Sequence, residues 1–408
     1  MRFLLKTLGV IVLLVVLAGG GLAALYFANR QAIPELESDA YADSQVEPAA
    51  DLAAVAAARA RLTQLRREIG YPSVSVAVAV NGAVVWREAQ GYADLASGQR
   101  ASVDTIYPVG SVSKALTAAG VMRLADRGVM ALDVDVRAYV PSFPVKPYAI
   151  TARQLLSHQA GIRHYRFELS PPTFSDFGSN VRYANVRDSL AVFQDDPLLF
   201  EPDTSFSYST YGYTLVSAAA ESAAGLPFLD MMQAEVFGPL GMTATGGDDK
   251  LKPVAGRASD YQNIARDGHV IAAPEVDVSN KWAGGGFRST PRDLAVFGAA
   301  LLEGKIVSAE GLAAMFTPRK LRSGSVNPQD YGLGFRIDTL GDPAYPGKKW
   351  RAIHHGGVAV GAQGMLMLFP DSGVVVALSA NATTQPPARG MFDAASDIAV
   401  LFIEGPPR

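Results

Sequence analysis

The sequence predicts an α/β fold in which an antiparallel sheet, assembled from both ends of the chain, carries an inserted, mainly helical lobe. Two observations lead there. Strand patterns occur over about 73–89 and again in RAIHH (351–355), GMLMLFP (364–370) and GVVVALSAN (373–381), whereas about 111 to 300 reads as helix broken by Pro and Gly. Strands at the two ends with helices between them pair most simply in one sheet, and a functional cleft is then expected between sheet and lobe.

The elements follow in order. Arg2 and Lys6 precede TLGVIVLLVVLAGGGLAALYFA, residues 7–28, which carries no charge. A helix of that length extends roughly 33 Å, enough to cross a bilayer core. Ala18, Gly19 and Gly20 also offer a small-residue cleavage site. Residues 1–29 are therefore expected to form a transmembrane signal anchor or a cleaved signal peptide. Positive charge before the span, followed by Glu35, Glu37, Asp39, Asp43, Glu47 and Asp51 with no Lys or Arg over 31–58, places the bulk of the chain outside the cytoplasm, in a periplasm or at the cell exterior. Residues 30–49, with Pro34 and Pro48, read as a polar linker, and 50–408 as one folded domain.

Asp51 is an N-cap for LAAVAAARARLTQLRREI, and Gly70 a C-terminal stop. SVSVAVAV (73–80), Asn81-Gly82 and AVVWREA form a hairpin through a type I′ turn. Thr151 and Gln154 make a capping box for a helix that Gly161 would close. Thr290 caps a further helix with Pro291 in its first turn, and a last helix is expected near 389–403.

Composition narrows the function. Apolar residues make up 49% and charged residues 18%, enough for a sizeable core. With 36 basic against 39 acidic side chains there is no basic excess to suggest nucleic acid. The absence of cysteine excludes disulfides, thiol catalysis, Cys-ligated zinc and a lipidated cysteine anchor.

GSVSK (110–114) sets Ser111 and Lys114 three residues apart where an apolar helix begins, so both side chains share one face. A helix N-terminus favours a developing alkoxide, and burial lowers a lysine's pKa until it accepts a proton. Among the serines, Ser111 alone has a lysine three residues on. Two further segments stand out, Tyr208-Ser209-Thr210 ahead of a helix pattern and His354-His355-Gly356-Gly357 in a strand before a glycine turn. Adjacent strand residues point to opposite faces, so one metal ion could not take both histidines, and no metal site is expected. His158 reads as structural, in the last turn of a helix, while His164 and His269 carry no pattern; Gly284-Gly285-Gly286 reads as a close-packed turn.

These three segments, in this order, resemble the penicillin-recognising serine hydrolases, whose pattern is Ser-x-x-Lys, then Tyr-x-Asn, then Lys-Thr-Gly or His-x-Gly. The resemblance spans about 52–404 and includes LLSHQAGI, similar to the family's LLSHTSGL. It implies the β-lactamase/transpeptidase-like fold and an acyl-enzyme mechanism on an amide or ester, with no cofactor and a small-molecule or peptide substrate. Carried over by residue, it makes Ser111 the nucleophile, Lys114 its proton acceptor, Tyr208 the second acid/base and His354 a partner of Tyr208. Backbone N–H groups of Ser111 and Gly357 would form an oxyanion hole beside Gly356. Thr210 stands for the asparagine that grips a substrate amide, and His355 for a threonine that helps bind a substrate carboxylate; both departures argue against β-lactams as the natural substrate. A scaffold that keeps the fold for binding is the rival reading, against which Ser111, Lys114 and Tyr208 together speak. An α/β-hydrolase needs Gly-x-Ser-x-Gly, which does not occur here.

Overall fold

The structure, a computed structural model, describes residues 19–21, 23–34, 42–166, 176–384 and 390–407. Most of the apolar stretch 7–28 and the acids Glu35, Glu37 and Asp39 lie outside the described residues. Among the described residues no helix is long and apolar enough to cross a membrane.

Seven strands form the main sheet: β1 (Asp43–Val46), β2 (Ser73–Val80), β3 (Ala83–Asp94), β4 (Arg336–Leu340), β5 (Trp350–Ala359), β6 (Ala362–Phe369) and β7 (Val374–Ala380). They run antiparallel in the order β4-β5-β6-β7-β2-β3-β1, and the short strand Gln99–Arg100 pairs with β3. Joining of β7 to β2, with Val374 opposite Val80 and Ala380 opposite Val74, closes the two ends of the chain into one sheet. Within the stretch read as a linker, β1 is an edge strand against β3, and Gln31–Ala32 pairs with His269–Ala272 in a smaller sheet.

The near-continuous apolar runs of β2 and β7 reflect burial on both faces. Val74, Val76, Val78, Val376 and Leu378 pack under the terminal helices α1 (Leu52–Ile69) and α6 (Gly390–Glu404). Ala77, Ala79, Val375 and Ala377 face the helical lobe, built on α2 (Ser113–Asp126), α3 (Ala152–Leu156), α4 (Thr210–Ala224) and α5 (Pro291–Leu302). Each fully buried Val contributes about 1.5–3 kcal/mol, so these faces fix the register.

Local signals govern the ends. Asp51 accepts from the N–H groups of Ala53 and Ala54, Gly70 closes α1 at φ 73°, and the hairpin turn sets Asn81 and Gly82 at φ 49° and 86°. Thr151 and Gln154 form the expected capping box, but α3 ends at Leu156 and does not reach Gly161. His158 takes φ 61°, and its Nδ1 accepts the Ser209 N–H at 3.1 Å, so a tertiary contact ends the helix early.

Candidate active site

Ser111 sits in a 3₁₀ turn, Gly110–Val112, that runs directly into α2. Gly110 has φ 51°, and a Cβ there would lie 2.6 Å from the backbone of Val358 in β5, so the turn is pressed against the sheet. Ser113 Oγ donates to the Gly110 carbonyl at 2.6 Å and accepts the Phe287 N–H at 3.1 Å, which fixes the turn from behind.

One turn along α2, Lys114 is fully buried, with Nζ 3.2 Å from Ser111 Oγ, 3.1 Å from Thr210 Oγ1 and bonded to the Gly284 carbonyl. Burial, helped by the cations of Arg336 and Lys281, holds its pKa well below the usual lysine range. An amine that is neutral and touching a serine hydroxyl can accept its proton.

Tyr208 approaches from the strand-like segment before α4. Lys114 Nζ lies 4.7 Å from its ring centroid, which sets the phenol beside the Ser111–Lys114 pair. Part of the residue is exposed, yet desolvation by its neighbours pushes the phenol up to about 12, against the opposing pull of the Ser111 hydroxyl and Arg336. It therefore carries its proton at neutral pH. Ser209 caps α4 through the Gly212 N–H at 2.9 Å and donates to the Arg163 carbonyl at 2.6 Å, which orients Tyr208 and Thr210 on either side of it.

The structure brings Ser111, Lys114, Tyr208, Thr210, His355 and Gly357 together and leaves His354 outside. Strand alternation decides this: β5 turns His355 with Ile353 toward the lobe and His354 with Ala352 toward the terminal helices. His354 Nε2 pairs with Asp338 at 2.7 Å, and its ring packs against Phe392 of α6 at 4.9 Å between centroids. The expected His354–Tyr208 pairing does not form; His355 is the histidine of this strand that reaches the cleft, with its ring centroid 6.2 Å from that of Tyr208. HHGG fits His-x-Gly in two registers, and the second is the one in the cleft.

His355 also differs from the expectation of a substrate-facing, titrating group. Burial, with Lys114 and Arg336 nearby, keeps it neutral well below its ordinary range. Its Nδ1 donates to the Gly356 carbonyl at 2.7 Å, leaving Nε2 to accept from the Tyr331 hydroxyl at 3.0 Å. Thr210 is likewise not substrate-facing: it is 1% exposed and its hydroxyl holds Lys114. Gly356 turns toward Met365 on the far face, whereas a Cβ on Gly357 would fall 1.9 Å from the Val109 carbonyl oxygen and 3.0 Å from the Ser111 nitrogen. Gly284 belongs to the short helical turn Trp282–Gly285, and a Cβ on it would reach 2.6 Å from Thr210, in keeping with a close-packed turn.

Four residues of the site carried no usable signal. His158 lies under Tyr208 with ring centroids 4.3 Å apart, and His164 stands edge-on to it at 5.4 Å while accepting the Thr210 N–H at 3.2 Å. Arg336 places its guanidinium carbon 5.9 Å from the Tyr208 centroid. Lys281 is buried nearby. The segment LLSHQAGI did mark His158, but as a helix end rather than as a packing partner of the tyrosine. Among the described residues no three His, Cys, Asp or Glu side chains are grouped to hold a metal ion.

A cavity of about 650 Å³ opens beside Ser111, walled by His164, Tyr165, Phe177, Lys281 and residues 358–360 at the end of β5. A serine hydroxyl, a buried amine, a protonated phenol and an adjoining pocket are parts that acyl transfer needs.

Comparison with known proteins agrees with this geometry. The family model described as Beta-lactamase matches residues 21–399. The chain is 30% identical over 400 residues to the mitochondrial serine beta-lactamase-like protein LACTB of Homo sapiens, covering 78% of this chain and 72% of that one. It is 25% identical over 309 residues to penicillin-binding protein 4* of Bacillus subtilis, covering 73% of this chain and 65% of that one. In fold it is similar to the D-amino acid amidase of Ochrobactrum anthropi, with a TM-score of 0.69 and 22% identity over 85% of this chain and 99% of that one.

Proposed function

The chain belongs to the β-lactamase family of serine hydrolases, and from that premise we propose that it cleaves an amide or ester bond through a covalent acyl-enzyme on Ser111. The observation that carries the proposal is the buried Lys114 amine 3.2 Å from Ser111 Oγ. As Oγ bonds to the substrate carbonyl carbon, Lys114 takes its proton, and the N–H groups of Ser111 and Gly357 hold the oxyanion. Collapse expels the leaving group, which takes the proton of Tyr208, and the Lys114 proton then replaces it. A phenol at about 12 supports the donor role for tyrosine in this step, and a depressed lysine supports the acceptor role. Water repeats the sequence in reverse and frees Ser111.

Relatives named as penicillin-binding proteins and as the esterase EstB of Burkholderia gladioli support amide and ester substrates alike. The uncharged stretch 7–28, behind Arg2 and Lys6, supports a membrane-anchored enzyme whose catalytic domain lies outside the cytoplasm. Thr210 and His355, both committed to protein partners, support a natural substrate other than a β-lactam.

Intact-mass spectrometry after a fluorophosphonate tests the chemistry: one adduct is expected, on Ser111, and none in Ser111→Ala. Hydrolysis unchanged in Ser111→Ala refutes it. A C-terminal reporter that is active only in the cytoplasm refutes the topology.

A further inference from the structure

Lys281 is the second buried lysine at this site, and no proton transfer of the proposed mechanism passes through it. It is 3% exposed and lines the cavity that opens at Ser111. Its Nζ donates to the Phe177 carbonyl at 2.5 Å and lies 4.7 and 5.3 Å from the ring centroids of Phe177 and Tyr165.

The charges around the cavity are mostly spoken for. Arg257 is paired with Asp248 and Asp260, each at 2.8 Å, and Asp249 with Arg182 at 2.6 Å. The two carboxylates that act on Lys281 from a distance are Asp176 and Asp277. Arg163 holds the first at 2.8 Å and Arg182 the second at 3.5 Å. Among the described residues no carboxylate forms an ion pair with Lys281. Glu275, Lys250 and Lys252 are exposed at the rim. A buried ammonium without a counter-ion is costly, and desolvation brings Lys281 down to about 7. An arriving anion would supply an ionic partner for an ammonium that the protein has largely withdrawn from solvent.

The position of the cavity says which part of the substrate could bring that anion. Tyr208, Arg336 and His355, which cluster where the leaving group departs, do not line it. It extends instead from Ser111 along Val358–Val360, where the acyl part would lie.

We propose that Lys281 is a specificity-determining residue that receives a carboxylate carried on the acyl part of the substrate. This rests on the reading of Ser111 as nucleophile. The test compares kcat/KM for the 4-nitrophenyl half-esters of adipic and suberic acid with that for their methyl esters, in wild type, Lys281→Met, Lys281→Gln and Lys281→Arg. The expected result is a wild-type preference for at least one half-ester of about 10- to 100-fold, the range of a charge-assisted hydrogen bond. Lys281→Met and Lys281→Gln abolish the preference, and Lys281→Arg keeps part of it. No wild-type preference at either chain length overturns the proposal, and this outcome does not depend on any variant folding. An equal fall for charged and neutral esters in both Lys281→Met and Lys281→Gln also overturns it, because it assigns Lys281 to holding the Phe177 segment or to tuning Lys114 rather than to the substrate. Turnover that survives Ser111→Ala, or no wild-type turnover of any ester, refutes the nucleophile reading instead.

Discussion

Gly357→Ala is the sharpest single perturbation of this site, because the added atom has nowhere to go. Its Cβ would lie 1.9 Å from the Val109 carbonyl oxygen, against the 3.4 Å of an ordinary contact, so strand and turn must separate by about 1.5 Å (3.4 less 1.9). The obstacle is backbone on both sides, and the turn it presses is the one that carries Ser111. Overpacking of this kind costs about 1–3 kcal/mol in stability. A misplacement of about 1 Å at a reacting group costs about 10²-fold in rate. Gly357→Ala is therefore expected to lower kcat/KM for p-nitrophenyl acetate by about 100-fold or more while the protein still folds. Gly356→Ala is the internal control: its Cβ meets only the tip of Met365, 3.1 Å away on the opposite face, and a flexible methionine can yield. It should retain activity within about threefold, since no reacting group moves. Steady-state kinetics and thermal midpoints on both variants decide the matter. Full activity in Gly357→Ala, or equal losses in the two, would refute the assignment of the cleft face of β5.

Three further outcomes follow from the same geometry. Lys114→Met is expected to lower kcat/KM by about 10²–10⁴-fold, the range of a lost proton acceptor, with a modest fall in thermal midpoint because the buried Gly284 carbonyl loses its partner; a variant of near-wild-type rate excludes Lys114 as the acceptor. His355→Ala should reduce kcat/KM by at least 10-fold through loss of the Tyr331 bond beside Tyr208, whereas His354→Ala, which frees only the exposed Asp338, should change it by less than about threefold; the reverse order in kinetics would restore His354 to the site. Stability should rise with pH above about 7, because Lys281 is deprotonated in the folded state from there upward while the unfolded chain holds its proton to about 10.4. Below about 7 the full penalty of the buried ammonium is present in the wild type, so thermal midpoints of Lys281→Met should show a smaller rise over pH 7–10; identical profiles would exclude that titration.

What could be read from the sequence is what depends on neighbours in the chain. Asp51 with Gly70, Asn81 with Gly82 and Thr151 with Gln154 each set a backbone shape through contacts within one turn, and all three do so here. Ser111 and Lys114 are of the same kind, since three residues on a helix bring two side chains together whatever surrounds them. The choice between His354 and His355 is of a different kind. One row of β5 holds Ala352, His354 and Gly356 and the other Ile353, His355 and Gly357, so size and polarity barely distinguish the faces. Parity is settled by pairing with β6 and by the docking of Gly110 on Val358, neither of which is local. The same holds for the chemistry of Lys114. It is recognisable by spacing, but what lowers its pKa is burial, helped by the charges of Arg336 and Lys281, in a shell that Thr210 and Gly284 complete. Those four positions span more than a hundred residues and carry no common pattern. A sequence can thus name a candidate nucleophile before it can say why the lysine beside it gives up its charge, because the first is a matter of helical spacing and the second of what the fold buries around it.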